Sequence, residues 1–341
     1  MSNQSNLQKF EDSMVRARLG RATISSYMSV ARAYIGFVRG KSFETPQDAV
    51  SSYLSTFSKE GKSVAYQHQA LNALAGKNGL YKSLGKELGK LPPWVKAKKP
   101  QTVPAWVTQS ETERICDHLT EPWSLMIRLM FGSGLRVSEL VSLRWRDLDF
   151  ERNSITVKQS KGKKDRITFL PKSLVDELRA RERKCRAIWN HDREMQRPGV
   201  EVPKPISNKS PKAGEQWPFF WVFSAAGEST CPTTKIRRRH HIHQKSLAKP
   251  VRIAVARAGI SKRVTAHSFR HGFATAYLMS GGVITELRDL MGHKSIETTE
   301  IYTHCLPSFT DRVGSPLDAP KTSPGVIPFP VETPLPKIAT Q

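Results

Sequence analysis

Two mainly helical domains, the second carrying a small β-hairpin, are what the 341-residue sequence predicts. Three observations carry that reading. Apolar side chains recur at helical spacing along most of the chain. Residues 91–106, LPPWVKAKKPQTVPAW, interrupt them with prolines and basic residues that neither continue a helix nor fill a core strand. Strand-type alternation flanks a single basic turn. With 38% hydrophobic and 25% charged residues the chain can bury a sizeable core, which excludes a disordered or fibrous protein.

Residues 1–90 read as four or five amphipathic helices. Tyr27, Val30, Tyr34 and Phe37 share a face, and Thr45-Pro46 supplies a cap and first turn ahead of Val50, Tyr53, Leu54 and Phe57. Leu71 and Leu74, then Leu80, Leu84 and Leu88, mark the rest. Residues 91–106 are a basic interdomain linker. The second domain, 107–315, opens on the capping box Thr108 to Glu111 and an apolar helix through Leu125, Leu129 and Met130 that stops at Gly132-Ser-Gly134. A further helix begins near Arg136. Ile155 and Val157, the turn SKGKKD, and then Ile167 and Phe169 spell a β-hairpin with a densely basic tip. A charged helix follows over 173–197, with Leu174, Leu178, Cys185 and Ile188 on one stripe. Residues 198–245 lose periodicity and read as an inserted segment, holding the aromatic run Trp217-Pro-Phe-Phe-Trp221 and the basic run Arg237-Arg-Arg-His-His-Ile-His243. Then come a helix from Thr265 to Gly281-Gly282, a short one to Gly292 and another over 296–304. Residues 316–341 are a flexible, proline-rich tail.

Fifty-four Lys and Arg against 30 Asp and Glu leave a net charge of +24, the footprint of a polyanion binder, with nucleic acid the first partner to consider. No apolar run is long enough to cross a bilayer and the N-terminus has no apolar signal core, so the expectation is a soluble, cytoplasmic protein without a membrane partner. Cys116, Cys185, Cys231 and Cys305 form no C-x-x-C pair, which points to reduced thiols rather than disulfides or a zinc ribbon.

Four stretches can carry chemistry: Gly134-Leu-Arg136-Val-Ser-Glu139, Ser160-Lys161-Gly-Lys-Lys-Asp-Arg166, His267-Ser-Phe-Arg270-His271, and Gly292-His293 with Ile301-Tyr302-Thr-His304. On a helix His267 and Arg270 share a face and can donate to one phosphate, and Arg136, at a helix start after a glycine turn, can reach the same anion. Taken singly each has a plainer reading. Tyr302 alone reads as a core tyrosine. Lys161 alone reads as part of a phosphate-tracking hairpin tip, with Lys163 and Lys164 as the alternatives to it. The pair His267 and His271 has the spacing of a zinc protease helix, but Ser268 stands where that motif needs Glu. Cys231 with His240, His241 and His243 lacks a second finger cysteine. No metal and no cofactor is expected, and Gly132-Ser-Gly134 is too short for a nucleotide fingerprint.

In order, these stretches resemble the tyrosine recombinase (phage integrase) family, whose signature is Arg, a hairpin Lys, His-x-x-Arg, His and Tyr. The likeness runs from about residue 10 to 315 and is densest over TAHSFRHGFATAYLMSGG and LRDLMGHKSIETTEIYTH. It implies a C-shaped DNA clamp, with a helical core-binding domain, a catalytic domain and the linker crossing the duplex. It also implies a homotetramer on DNA and strand exchange through a 3′-phosphotyrosyl intermediate. Tyr302 would be the nucleophile, Arg136 and Arg270 the phosphate clamp, Lys161 the leaving-group acid, and His267 and His293 helpers of proton transfer and transition-state binding. A phenol with a pKa near 10 needs such help, and a phosphotyrosine conserves the phosphodiester energy without ATP. Within the family the aromatic insertion is similar to that of the integron integrases, which recombine gene cassettes at double-stranded and folded single-stranded sites. That likeness implies DNA contacts by Trp217, Trp221, Arg237, Arg238, Arg239, His240 and His241, some of them stacking on unpaired bases. Two other readings stay open: a non-catalytic architectural DNA-binding protein, and a topoisomerase-like enzyme that nicks and reseals.

Overall fold

The computed structural model describes residues 3–89, 91, 105–158, 165–231 and 234–303. The chain divides into two compact units, Met1–Thr102 and Val103–Gln341. The first is helical: α1 (Asn3–Arg16), α2 (Arg21–Val38), α3 (Pro46–Lys59), α4 (Val64–Ala75) and the single turn α5 (Leu80–Ser83). Helix α3 starts at Thr45, whose hydroxyl accepts from the Asp48 N–H while the Asp48 carboxylate accepts from the Thr45 N–H, both at 3.1 Å. Pro46 in the first turn forgoes no helical hydrogen bond. The apolar faces meet in one cluster that includes Phe10, Tyr34, Val50, Tyr53, Leu54 and Leu74. Tyr34 and Tyr81 share a 2.6 Å bond between hydroxyls, which satisfies the polar atom that Tyr34 carries into this core.

The second unit begins with α6 (Gln109–Cys116), α7 (Trp123–Ser133) and α8 (Val137–Val141). The single apolar helix expected here is two. Pro122 has no N–H to donate and disfavours the helical conformation at Glu121, so the chain breaks before α7. In α7 Leu125, Met126, Ile127, Leu129 and Met130 are all fully buried, and each such side chain stabilises the fold by about 1.5–3 kcal/mol. The helix stops at Gly134, whose φ is +66° and where a Cβ would lie 2.4 Å from the Phe273 ring. Glycine meets both demands there.

Strands β1 (Leu148–Asp149), β2 (Ser154–Val157) and β3 (Arg166–Phe169) form an antiparallel sheet in that order, with Ile155 opposite Thr168 and Val157 opposite Arg166. The hairpin stands where the alternation placed it, but β3 faces the other way from a simple apolar-inward reading. Arg166 and Thr168 are buried while Ile167 and Phe169 are exposed. Thr168 Oγ1 donates to Ser133 O at 2.7 Å, and Arg166 is bound to the partners described below, so hydrogen bonding rather than apolar burial selects the inner face. The hairpin tip, residues 159–164 with Lys161, lies outside the described residues.

The charged helix is α9 (Val175–Glu194), followed by α10 (Lys204–Lys209) and a second hairpin of β4 (Ser224–Thr230) and β5 (Arg237–His241). That hairpin was not foreseen, because Ser224-Ala-Ala-Gly-Glu-Ser-Thr230 has no apolar alternation to announce it. Its approach is threaded through the main core. Phe220, Trp221, Val222 and Phe223 are buried, Val222 N–H donates to Leu143 O at 3.0 Å, and Trp145 N–H donates to Phe220 O at 3.2 Å. The aromatic run thus belongs to the body of the unit. Helices α11 (Ala248–Arg257), α12 (Ala266–Met279), α13 (Ile284–Met291) and the short α14 (Glu297–Glu300) complete it. Among the described residues no helix is long and apolar enough to cross a membrane.

Candidate active site

The site gathers round the C-terminal end of α13. Gly292 there takes a left-handed conformation, φ +62°, and ends the helix, so its last carbonyls have no helical partner. Three consecutive carbonyls are taken by three arginines from three other elements. Arg166 Nε of β3 donates to Leu290 O at 2.8 Å, Arg270 Nη2 of α12 to Met291 O at 2.6 Å, and Arg136 Nη2, at the start of α8, to Gly292 O at 3.1 Å. The negative end of a helix dipole favours this concentration of positive charge.

One carboxylate ties the arginines together. Glu139 accepts both ends of the Arg166 fork, at 2.9 and 2.7 Å, and also the Arg136 guanidinium at 2.7 Å and the Arg136 N–H at 2.8 Å. Arg270 Nη1 stands 4.0 Å away. Burial alone would raise this carboxyl, but the Arg166 fork and then Arg136 outweigh it and hold it at about 2. Arg270 is 1% exposed. Burial first, and Arg136 second, press its guanidinium below the ordinary range, yet it stays charged, donating to Gly134 O and Met291 O. Three of its five N–H donors go to described residues, as do two of those on Arg136. Three guanidiniums against one carboxylate, with donors to spare, make a socket for an anion with planar or tetrahedral oxygens.

Helix α12 brings three functional side chains to one side because residues 267, 270 and 271 fall at i, i+3 and i+4. The Thr265 N–H donates to Ser268 Oγ at 3.1 Å and opens the helix. His267 is exposed, and its ring lies edge-on to His271 with centroids 4.7 Å apart. His293 Nε2 is 3.0 Å from Arg270 Nη2, and its Nδ1 is 2.9 Å from Thr299 Oγ1. A guanidinium only donates, so Nε2 accepts and Nδ1 carries the proton. Burial, then Arg270 and Arg136, lower the His293 imidazole to about 4, which keeps that neutral form at physiological pH. Tyr302 follows α14 and is buried among Phe273, Leu278, Leu287 and Met291. Its hydroxyl shares a 2.8 Å hydrogen bond with His271 Nδ1, and its ring lies near parallel to His293 at 6.4 Å.

The structure therefore brings together Arg136, His267, Arg270, His293 and Tyr302, five of the six residues singled out for chemistry. The sixth, Lys161, lies outside the described residues. The residues singled out for contacts through the inserted segment are placed less uniformly. Trp221 is buried, with the Arg144 guanidinium 3.8 Å over its ring and the His241 edge at 5.0 Å. Trp217 stacks on Trp145 at 5.4 Å and carries Arg186 at 3.7 Å. Both rings are packing elements, which corrects the picture of open faces for a base, since large rings gain most from burial in the core beside them. Arg239 is likewise buried, forked onto Asp192 at 2.5 and 2.7 Å, rather than set out as a phosphate anchor. Arg237 is exposed, Arg238 and His240 are half-buried, and His241 Nδ1 is bonded to Ile242 O at 2.8 Å.

Three residues of the site were not assigned from sequence: Glu139, Arg166 and His271. The signal for Glu139 was present, since it falls three residues after a helix-start arginine, as a capping box requires. Arg166 is one of several basic residues of the hairpin, and His271, next to the H-x-x-R pair, has no spacing of its own that marks a role. Among the described residues no group of three His, Cys, Asp or Glu side chains is arranged to hold a metal ion.

A family model described as "Phage integrase family" matches residues 105–308. An "Integrase/recombinase" of Escherichia coli is 39% identical over 303 residues, which span 87% of this chain and 88% of that protein. "Tyrosine recombinase XerA" of Thermococcus kodakarensis is 28% identical over 209 residues, 60% of each chain. Among solved structures, XerH site-specific recombinase bound to a palindromic difH substrate superposes with a TM-score of 0.58 at 19% identity, covering 84% of this chain and 77% of that one. A lambda integrase(75-356) dimer bound to a COC′ core site gives a TM-score of 0.55 at 18% identity, covering 87% and 97%. At these identities the two structures bear on the fold alone.

Proposed function

The chain belongs to the phage integrase family and is a tyrosine recombinase, and from that premise we propose that it cuts and rejoins DNA strands through a 3′-phosphotyrosyl bond on Tyr302. The observation that carries this is the convergence of Arg136, Arg270, His267, His293 and Tyr302 on the end of α13. Arg136 and Arg270 bind the non-bridging oxygens of the scissile phosphate and neutralise the charge that grows on them in the pentavalent transition state. Tyr302 Oη attacks phosphorus as the 5′ oxygen leaves, and Lys161 protonates that oxygen. His267 and His293 assist proton transfer and transition-state binding. The test is incubation with a nicked suicide duplex, its site selected by affinity from a random-sequence pool, followed by denaturing gel analysis. Wild-type protein is expected to form a covalent adduct, and Tyr302→Phe to bind the same DNA and form none. An undiminished adduct in Tyr302→Phe overturns the assignment.

The finer reading is of the integron integrase type: a homotetramer on DNA, acting in the cytoplasm on gene cassettes at double-stranded and folded single-stranded sites. Its support is the basic and aromatic segment 198–245, which keeps Arg237 exposed and Arg238 and His240 half-buried after Trp217, Trp221 and Arg239 are set aside as packing residues. The His240→Ala/His241→Ala variant is compared on a bulged hairpin and on a linear duplex. Loss confined to the hairpin supports capture of an unpaired base, and equal loss on both removes the single-strand reading.

A further inference from the structure

The proposed reaction needs a place for the phenol proton, and among the described residues His271 and His293 lie against Tyr302, with His267 next to His271. His293 has both ring nitrogens engaged, Nε2 by Arg270 and Nδ1 by Thr299. His267 is exposed and meets the edge of His271. His271 is the imidazole hydrogen-bonded to the Tyr302 hydroxyl, Nδ1 to Oη 2.8 Å, with the ring centroids 5.4 Å apart. We propose that His271 is a catalytic residue, whose Nδ1 accepts the Tyr302 hydroxyl proton as Oη attacks the phosphate.

The proposal rests on Tyr302 being the nucleophile. In the step, the Oη–P bond forms and the bond from phosphorus to the 5′ oxygen breaks. The phenol proton passes to His271 Nδ1, and the leaving oxygen takes its proton from Lys161, the acid of the proposed reaction. Rejoining runs the same transfers backwards, with His271 returning its proton to Oη. The surroundings suit a base that begins neutral. His267 and Arg270 face the ring from its own helix, His293 from the segment after α13 and Tyr302 from beyond α14. Burial first, then His267 and Arg270, hold the imidazole at about 4, so it is unprotonated and ready throughout the physiological range. Placement of the base on α12, one residue after Arg270, locks proton acceptor and phosphate clamp to the same turn of helix.

The test measures adduct formation on the nicked suicide duplex from pH 5.5 to 9 with wild type, His271→Ala and His271→Asn. The Asn carbonyl can accept the hydrogen bond but cannot keep a proton. Both variants are expected to bind DNA as wild type does and to react about 10²-fold or more slowly at pH 7. Their rates should climb about tenfold per pH unit as hydroxide replaces the lost base, while the wild-type rate shows no such climb. Nitrogen NMR of the wild-type histidines is expected to find His271 neutral with Nδ1 bare. Wild-type rates in either variant, slow variants with the wild-type pH response, or a proton on Nδ1 in the free protein each overturn the proposal. An adduct in Tyr302→Phe would instead overturn the nucleophile, and with it the premise.

Discussion

Two carboxylates in the second unit are each gripped by arginines, and they serve opposite ends. Asp192 on α9 accepts the Arg239 fork at 2.5 and 2.7 Å and Arg197 at 2.8 Å, while Arg197 and Arg237 also reach Glu228 at 3.2 and 3.5 Å. Two carboxylates face three guanidiniums, and the carbonyls of Ala225 and Ala226 take up further Arg239 donors. The group keeps a single surplus positive charge and pins the β4–β5 hairpin to α9. Glu139 alone faces Arg136, Arg166 and Arg270, and the backbone partners there are three carbonyls at one helix end. That cluster keeps surplus positive charge and unspent donors, next to histidines and a tyrosine. The same residue types make a strut where carboxylates nearly match guanidiniums and an anion socket where one carboxylate faces three.

Glu139 and Asp192 separate the two clusters most directly. Glu139→Gln strips the counter-charge from buried guanidiniums and should cost about 3–5 kcal/mol in urea unfolding, with slower adduct formation by the molecules that remain folded. Asp192→Asn should cost a similar stability and leave the adduct rate per folded molecule unchanged. Equal slowing in both variants would show that the hairpin's cluster is also part of the chemistry.

Next in size is Arg270→Lys. An ammonium cannot hold Gly134 O, Met291 O and His293 Nε2 together and still face a phosphate, so cleavage should fall about 10²–10³-fold. Arg136→Lys should fall less, because its side chain is 32% exposed and makes fewer internal bonds. Wild-type rates in both would remove the clamp.

The smallest effect expected is on acid stability. The Glu139 carboxyl is depressed to about 2 when folded, so its contribution is fully present above the unfolded value near 4.3 and is lost as pH falls through 2. The amount is about 3 kcal/mol. Asp192 is lowered too, by the hydrogen bonds of Arg239 and Arg197 overcoming burial, and adds in the same direction. Melting curves between pH 5 and pH 2 should therefore show a steep loss that Glu139→Gln flattens. An unchanged slope in that variant would mean that its ion pairs do not stabilise the native state.

Much of the site was legible because its spacings are local. His267 and Arg270 share a helix face whatever else the chain does, and Gly134 and Gly292 announce the helix ends beside Arg136 and His293. The β2–β3 hairpin was legible for the same reason, from alternation across a basic turn. The β4–β5 hairpin was not, since its strands are polar and pair through backbone and the Arg237–Glu228 ion pair instead of an apolar face. The aromatic run misled in the other direction: Trp, Phe and Trp in a proline-bounded segment look like a surface built for stacking until Trp145, Arg144 and Arg186 are found against them.

By itself the sequence determined most of the helices, the first hairpin and a basic character suited to DNA, and it supplied the order of residues from Arg136 to Tyr302, all through short-range periodicity, capping and charge. Only the tertiary structure decided what those residues touch. Arg136 meets Gly292 across 156 positions, Arg166 meets Glu139 across 27, and His271 meets Tyr302 across 31. Such pairs depend on how α7, α8, α12, α13 and β3 pack, which no local pattern encodes. It was packing that turned Arg166 inward on its strand, buried Arg239 and Trp221, and set a neutral imidazole against the tyrosine hydroxyl.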